Sequence, residues 1–131
     1  MPCDCELDLE HRCIRARGWG VLTFEEALAT RHKFLSDPAF EPDFDQIYDG
    51  TAITRLPFTA AQVAELARAD MFNERSRRAF VAPQSDTSGA VRLYQSYRKV
   101  NGGREKIRVF RTLAAAEAWL AGEHPPIAPR T

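Results

Sequence analysis

Apolar and polar residues alternate with a period of two in several short stretches, which is the pattern of half-buried β-strands. Residues 5–9 (CELDL) and 14–17 (IRAR) predict an antiparallel hairpin turning at 10–12, with acids of one strand beside arginines of the other. The sequence GWG at 18–20 breaks the alternation and predicts a bend. Three further strands are predicted at 44–48 (FDQIY), 79–82 (AFVA, closed by Pro83) and 106–110 (KIRVF).

Helical spacing of apolar residues predicts four helices between and after these strands. Thr23 with Glu26, and Thr59 with Gln62, have the spacing of capping boxes, so each pair marks a helix start. Thr112 is the expected N-cap of the last helix. The loop after the first helix is expected to be anchored by two phenylalanines, Phe40 and Phe44.

The third helix is expected to follow a turn at 84–89 (QSDTSG), where Ser85 or Asp86 is the predicted cap. Its apolar side is expected to hold Ala90, Leu93, Tyr94, Tyr97 and Val100. Its solvent-facing side is expected to hold Arg92, Gln95, Arg98 and Lys99.

The resulting order, ββαβαβαβα, predicts a single α/β domain with a mixed, mostly parallel five-stranded sheet and helices packed on it. The opening hairpin supplies the antiparallel edge. The Thr-rich residues 50–59 are expected to form a connection between the third strand and the second helix. The domain is expected to span residues 1–121, and the proline-rich residues 122–131 to form a C-terminal tail.

The charge balance argues against two classes of partner. The 131 residues include 18 basic and 18 acidic side chains, so no net field attracts nucleic acid or an anionic membrane. No apolar run reaches the roughly 18 residues that a membrane span needs, and the acidic first residues are unlike a signal peptide. We therefore expect a cytoplasmic protein with no membrane span and no nucleic-acid partner.

Basic residues nevertheless crowd the second half of the chain: Arg75, Arg77, Arg78, Arg98, Lys99, Arg104, Lys106, Arg108 and Arg111. One interpretation is that the two halves interleave in the fold and neutralise each other locally. A second is that a basic face docks an acidic protein partner. A third is self-association, for example as a dimer, through Tyr94, Tyr97 or Trp119.

Three cysteines near the start, Cys3, Cys5 and Cys13, combine with His11 into C-x-C-x5-H-x-C. An odd, clustered set is a poor disulfide framework, but thiolate and imidazole ligands can hold zinc. In the predicted hairpin His11 lies at the turn, about 20 Å from Cys5 at strand spacing. We therefore expect no metal or other cofactor, and the sequence assigns the cysteines no role.

Motifs of catalysis are absent from the sequence. It contains no Walker A loop, G-x-G-x-x-G, G-x-S-x-G or H-E-x-x-H. The histidines, His11, His32 and His124, fall on a turn, a helix and the tail, with no expected convergence on a nucleophile. The sequence predicts no catalytic residues and favours a protein that is not an enzyme.

A ligand site is predicted at the carboxyl ends of the parallel strands, where open α/β sheets bind ligands. Thr51 follows the third strand, and Ser85 and Ser88 follow the fourth, beside helix N-termini that present N–H groups to an anion. These three residues are the predicted site for a small anionic ligand. The alternative is that they only close turns and caps, and the nearby Asp49 and Asp86 favour that alternative.

Four stretches carry a resemblance to a known family: LDLEHRCIRARGWGVLTFEE, DPAFEPDFDQIYD, RSRRAFVAP and REKIRVFRTLAAAEAWL. Together with the element order, they make residues 5–121 similar to the SpoIIAA-like proteins, relatives of STAS domains that are also grouped with Sec14-like folds. The resemblance implies a small bacterial cytosolic domain. It implies a regulatory or protein-interaction module without catalysis, and alternatively a domain that binds a small anionic ligand or a lipid.

STAS relatives are switched by phosphorylation of a serine in Asp-Ser-Ser-Gly. The nearest equivalent here, Asp86-Thr87-Ser88-Gly89, follows the fourth strand, whereas the family motif follows the third. The segment thus differs in position from the family motif. Ser88 is a candidate phosphoacceptor for another reason: it lies at a helix N-terminus, where a phosphate meets free N–H groups. Helix capping is the alternative role of the segment.

Overall fold

The computed structural model describes residues 3–122, and within them it contains five strands and four helices in the predicted order. Their bounds are β1 Cys3–Asp8, β2 Cys13–Val21, α1 Phe24–Leu35, β3 Asp45–Arg55, α2 Ala60–Ala67, β4 Arg77–Val81, α3 Ser85–Val100, β5 Lys106–Phe110 and α4 Leu113–Ala121. The strands form one sheet in chain order, with β1 antiparallel to β2 and every other neighbouring pair parallel. The predicted single α/β domain is confirmed. The predicted tail lies outside the described residues beyond Gly122.

Strand order decides which face each helix covers. From β2 to β5 each new strand is added at the same edge of the sheet. Right-handed crossovers therefore place α1, α2 and α3 on one face. Phe34 of α1 packs there against Ile14 of β2. The other face is covered by α4, whose Ala116 packs on Ile47 and Ala79. The layer that α4 builds covers the β3–β5 side of that face.

The middle of the sheet is longer than the sequence predicted. β2 continues through the GWG segment to Val21, and β3 continues to Arg55, so the start of the predicted connection is wrong. The two extensions pair with each other through two register shifts, and Trp19 lies opposite Ala52. The irregular pairing disrupts simple alternation, which explains why the sequence pattern did not reveal it. Ile53, inside the extension, is almost fully buried.

Helix starts agree with the sequence at three of the four helices. Thr23 and Thr59 each form a complete capping box, and Thr112 accepts a hydrogen bond from the Ala115 N–H. α3 is different, because it begins at Ser85 after a Gln84 N-cap that makes no side-chain capping bond. The Asp86 carboxylate accepts a hydrogen bond from the Leu56 N–H at 3.3 Å, and so ties α3 to the end of β3.

Four phenylalanines close the end of the core beside α1. Phe40 packs between Phe34 and Phe44, with ring centroids 5.5 and 5.8 Å away. Phe72, before β4, packs edge-on against Phe40 at 5.6 Å. Since Phe44 is almost fully buried, the predicted anchoring of this loop is confirmed.

A buried ionic network joins the helical layer to the sheet at the opposite side from β1. Glu105, just before β5, accepts hydrogen bonds from Arg78 of β4 at 3.0 Å and from Arg98 of α3 at 2.9 Å. The exposed fractions of the Arg78 and Glu105 side chains are 3% and 1%. Arg98 also donates to Asp70 at 2.6 Å and to the Ala67 carbonyl at 2.9 Å.

The network corrects the predicted orientation of α3. Arg98, expected on the solvent side, is buried, whereas Val100, expected in the core, is 81% exposed. The cause is the carboxylate of Glu105, which neutralises a guanidinium that would otherwise be too costly to bury. Gly103 allows the close approach, because a methyl group there would lie 2.5 Å from the Arg98 Nη2 atom.

We predict that Glu105→Gln lowers the free energy of unfolding by at least about 3 kcal/mol, since it leaves two buried guanidinium groups without a full counter-charge. Asp70→Asn is the matched control, because the Asp70 side chain is 78% exposed, and its expected loss is about 1 kcal/mol or less. Urea denaturation at neutral pH measures both. Equal losses in the two variants would contradict the assignment of Glu105 as the central group.

The pH dependence of stability provides a second prediction. Burial opposes ionisation of Glu105, but the hydrogen bond from Arg98 and the charge of Arg78 outweigh it and hold its pKa below the ordinary value of 4.5. The stabilisation by ionised Glu105 is therefore full above pH 4.5 and is lost as the pH falls through the lower folded-state pKa. We expect Glu105→Gln to show a shallower loss of stability below this pH than the wild type, in denaturation curves recorded at successive pH values.

Candidate functional site

A cavity of about 130 Å³, partly open to the surface, lies in the helical layer. α1 packs over β1 and β2, whereas α2 and α3 pack against each other and against Ile107 of β5. The cavity occupies the seam between these two groups, above the middle strands. It extends from Arg78, near the start of β4, to Gly50, at the middle of β3, and to Thr87, at the start of α3. Val81, at the carboxyl end of β4, and Leu56, just after β3, also border it.

The wall of the cavity is mainly apolar. Side chains that form it include Leu22, Ile53, Leu56, Phe58, Val63 and Phe80. Small residues also border it, namely Ala27 of α1, Gly50 of β3 and Ala90 of α3. A dry cavity of about 150 Å³ with an aliphatic and aromatic wall can hold one benzene molecule. The space is thus sufficient for a single ring or a short branched chain.

Two buried hydroxyl groups at the cavity wall have no hydrogen-bond partner among residues 3–122: Tyr48 Oη and Thr87 Oγ1. Thr87 is 4% exposed, so solvent does not replace the missing partner. The Cys3 thiol makes its hydrogen bonds with Thr30 Oγ1 at 2.6 Å and with the Glu26 carbonyl at 3.3 Å. Burial raises the pKa of Tyr48 far above its ordinary value, so its phenol remains a hydrogen-bond donor. Each unpaired buried hydroxyl costs on the order of 1–3 kcal/mol.

Both hydroxyl-bearing side chains lie at one corner of the cavity, beside two glycines on neighbouring strands. A methyl group at Gly18 would lie 3.2 Å from the Tyr48 hydroxyl, and one at Gly50 would lie 3.7 Å from the Thr87 Cγ2. The Ile53 Cδ1 methyl borders both glycine positions, at 3.2 and 3.3 Å. Gly50 is required for packing, because a methyl group at this position would lie 2.7 Å from the Val81 carbonyl oxygen.

A charged side chain, Arg31 of α1, borders the other part of the cavity. Its Nη2 donates a hydrogen bond to the Leu66 carbonyl of α2 at 2.8 Å, so the side chain spans the seam. Burial, and the nearby charges of Arg78 and Arg98, lower the pKa of its guanidinium, which nevertheless stays charged at physiological pH. Among the described residues, no carboxylate lies within ion-pair distance of Arg31.

The three residues predicted as a ligand site lie outside this apolar wall. Thr51 is exposed and donates its hydroxyl to Asp49, and Ser88 donates to the Ser85 carbonyl at 3.3 Å. The fold therefore brings Ser85 and Ser88 together in the first turn of α3. Of the two residues between them, Thr87 borders the cavity.

Sequence reasoning missed Thr87 because it assigned residues 84–89 to a turn. Once α3 begins at Ser85, Thr87 precedes Ala90, Val91 and Tyr94 by three, four and seven residues, which is helical spacing. That spacing was the available signal. Tyr48 and Arg31 carried no comparable signal, since a tyrosine in a strand and an arginine in a helix are ordinary residues.

The cysteines and histidines do not form a common site. Cys3, Cys5 and Cys13 lie in three different apolar clusters, and Cys13 is on the face covered by α4. Burial raises the pKa of Cys13 to about 12, which makes it a poor thiolate ligand. His11 lies in the hairpin turn and contacts Asp8 at 2.9 Å. Residues 3–122 contain no group of three or more His, Cys, Asp or Glu arranged to hold a metal, and His124 lies outside them.

The basic residues of the second half do not form one face. Arg78 and Arg98 are buried in the ionic network, and Arg104 pairs with Glu74 at 3.7 Å. Arg77 and Arg108 stack on the Trp119 ring at 5.6 and 5.5 Å. Local pairing is thus observed for several of them. Tyr94, one of the residues predicted at a surface for self-association, is buried. Its hydroxyl accepts a hydrogen bond from Arg78 at 2.8 Å.

A second depression, of about 280 Å³, lies on the opposite face above β1, β2 and β3. Its lining carries both signs of charge, with Asp4, Glu6, Arg15, Arg17 and Asp49. Several of these groups already have partners: Arg15 pairs with Glu117 of α4, and Asp4 pairs with Lys33. The cavity is the better candidate, since unpaired polar groups lie in its wall.

Comparison with models of protein families, with characterised proteins and with solved structures finds no match to this chain. The resemblance to SpoIIAA-like proteins therefore stays a prediction. Within residues 3–122, none of the helices combines the length and the apolar character needed to cross a bilayer.

We predict that Thr87→Val raises the free energy of unfolding of the ligand-free protein by about 1 kcal/mol, because it removes an unpaired buried hydroxyl. Thr30→Val is the matched control, since the Thr30 hydroxyl contacts Cys3 Sγ at 2.6 Å and donates to the Glu26 carbonyl at 3.1 Å. The control should lose about 1 kcal/mol in urea denaturation. If Thr87→Val destabilises as much as Thr30→Val, the Thr87 hydroxyl has a partner in solution.

Proposed function

We propose that this protein is a ligand-binding module that holds one small, largely apolar molecule in the cavity between α1, the α2–α3 pair and the sheet. The observation that carries the proposal is the pair of unpaired buried hydroxyls, Tyr48 and Thr87, in a mainly apolar wall. Protein interiors are normally close-packed, and buried polar groups in them normally have partners. A bound molecule supplies both the missing packing and the missing partners.

The small residues around the cavity support the same conclusion. Ala27 and Ala90 face the space from opposite helices, and a larger apolar side chain at either position would fill it. An unfilled cavity costs about 24 cal/mol per Å³, so a fold without a ligand gains stability from such a replacement. A cavity that binds a ligand explains why Ala27 and Ala90 are small.

The proposal corresponds to the alternative expectation from the sequence, a small-ligand domain at the carboxyl ends of the strands. It includes no reaction. The expectation of a regulatory or protein-interaction module stays a prediction, and it is compatible with ligand binding if the ligand changes what the module contacts.

Binding of a neutral apolar probe tests the proposal. We expect toluene to shift the amide resonances of residues around the cavity, such as Ile53 and Ala90, in NMR titrations and to raise the melting temperature. Ala90→Leu should abolish both effects, because its larger side chain occupies the space. Ala61→Leu, at an exposed position of α2, is the matched control and should bind toluene like the wild type.

A wild-type protein in which toluene shifts no cavity resonance would refute the proposal. Ala27→Leu, on the facing helix, provides a second filled variant if Ala90→Leu does not fold. Near-ultraviolet circular dichroism of each variant reports whether its aromatic core is packed as in the wild type.

A further inference from the structure

The charges inside the helical layer are not balanced. Three guanidinium groups lie in this layer: Arg31 and Arg78 both border the cavity, and Arg78 shares Glu105 with Arg98. Two carboxylates serve the network: Glu105 pairs with both Arg78 and Arg98, and Asp70 pairs with Arg98. One positive charge is left over, and it belongs to Arg31.

The position of this unbalanced charge is informative, because Arg31 borders the cavity. Arg31 is half-buried, so the fold removes part of the hydration of its charge, and a counter-charge beside the guanidinium replaces that lost hydration. A guanidinium has five N–H donors, and the Arg31 Nη2 uses a hydrogen bond to the Leu66 carbonyl. The counter-charge can be supplied from the cavity itself.

We infer that the molecule bound in the cavity is a small monocarboxylate with one ring or a short branched chain, whose carboxylate pairs with Arg31. Its apolar body lies along the wall at Phe80 and Ile53, and its far end reaches the hydroxyls of Tyr48 and Thr87. The inference rests on the proposed function, since it names the chemical class of the same ligand.

Three features favour a carboxylate over other anions. A planar carboxylate matches the fork of a guanidinium and accepts two parallel hydrogen bonds. It carries one negative charge, which equals the excess charge of the cluster, whereas a phosphate monoester carries about two. The other guanidinium at the wall, that of Arg78, is already paired with Glu105, so a second negative charge on the ligand would compete with that pair. The volume of about 130 Å³ suits a ring-sized acid.

The two hydroxyls indicate a polar atom at the opposite end of the ligand. Tyr48 and Thr87 each have a hydroxyl that can donate or accept, and both lie at the corner beside Gly18 and Gly50. A hydroxyl or keto group on the ligand would pair with them. A hydroxylated aromatic acid has this arrangement, with a carboxylate and a hydroxyl on opposite sides of a ring.

The experiment compares three probes of similar shape in calorimetric or NMR titrations: benzoate, its neutral analogue benzamide, and toluene. We expect wild-type protein to bind benzoate about 10- to 100-fold more tightly than benzamide, which is the range of a hydrogen bond to a charged group. Arg31→Gln should remove this preference and leave toluene binding in place. Arg68→Gln, at an exposed arginine after α2, should keep the preference.

The outcomes separate the two proposals. If toluene binds but benzoate has no advantage over benzamide, or if Arg31→Gln retains the advantage, the carboxylate inference is overturned and the cavity proposal stands. If none of the three probes binds, both are overturned.

4-Hydroxybenzoate supplies an independent readout when Arg31→Gln does not fold. We expect the wild type to bind it about fivefold more tightly than benzoate, and this gain in affinity should disappear in Thr87→Val. A gain that persists in Thr87→Val, or no gain in the wild type, would overturn the assignment of the far end.

Discussion

The buried ion pairs of Glu105 with Arg78 and Arg98 are the constraint on which the helical layer depends. Withdrawal of these charges from water is costly, and the cost is offset only when every partner is in place. The network therefore specifies one arrangement of β4, α3 and the turn before β5, and through Asp70 it includes the end of α2. Hydrophobic packing alone would tolerate small shifts of these helices. The ionic geometry does not.

α1 is held by a different set of contacts, and this difference creates the cavity. Phe34 packs in the cluster with Phe40 and Phe72, and Thr30 contacts the Cys3 thiol of β1. These contacts fix α1 to the β1 side of the sheet, while the ionic network fixes the α2–α3 pair to the other side. The space between the two groups is a consequence of two separate anchors. Arg31, which reaches from α1 to the Leu66 carbonyl, is a link across it.

Local signals in the sequence predicted the order and type of the helices and strands. The predictions that failed concern burial and strand length, which depend on residues distant in the sequence. The capping boxes at Thr23 and Thr59 depend on side chains three residues apart, so they were readable. The burial of Arg98 depends on Glu105, seven residues away and beyond a turn, and no helical periodicity contains that information. The extension of β3 depends on pairing with an irregular β2. At the candidate site, Thr87 was missed because the start of α3 was misplaced, and Tyr48 because a tyrosine in a strand gives no local signal.

The one-directional strand order has a consequence for biosynthesis. All crossover helices lie on one side, so the apolar residues on the other side, such as Ile47, Ala79 and Val81, are shielded by α4, which follows every strand in the chain. A ribosome exposes these residues before the helix that buries them has emerged. The nascent sheet thus exposes a hydrophobic, aggregation-prone face until translation has passed residue 121. Folding of this face is completed only after that point.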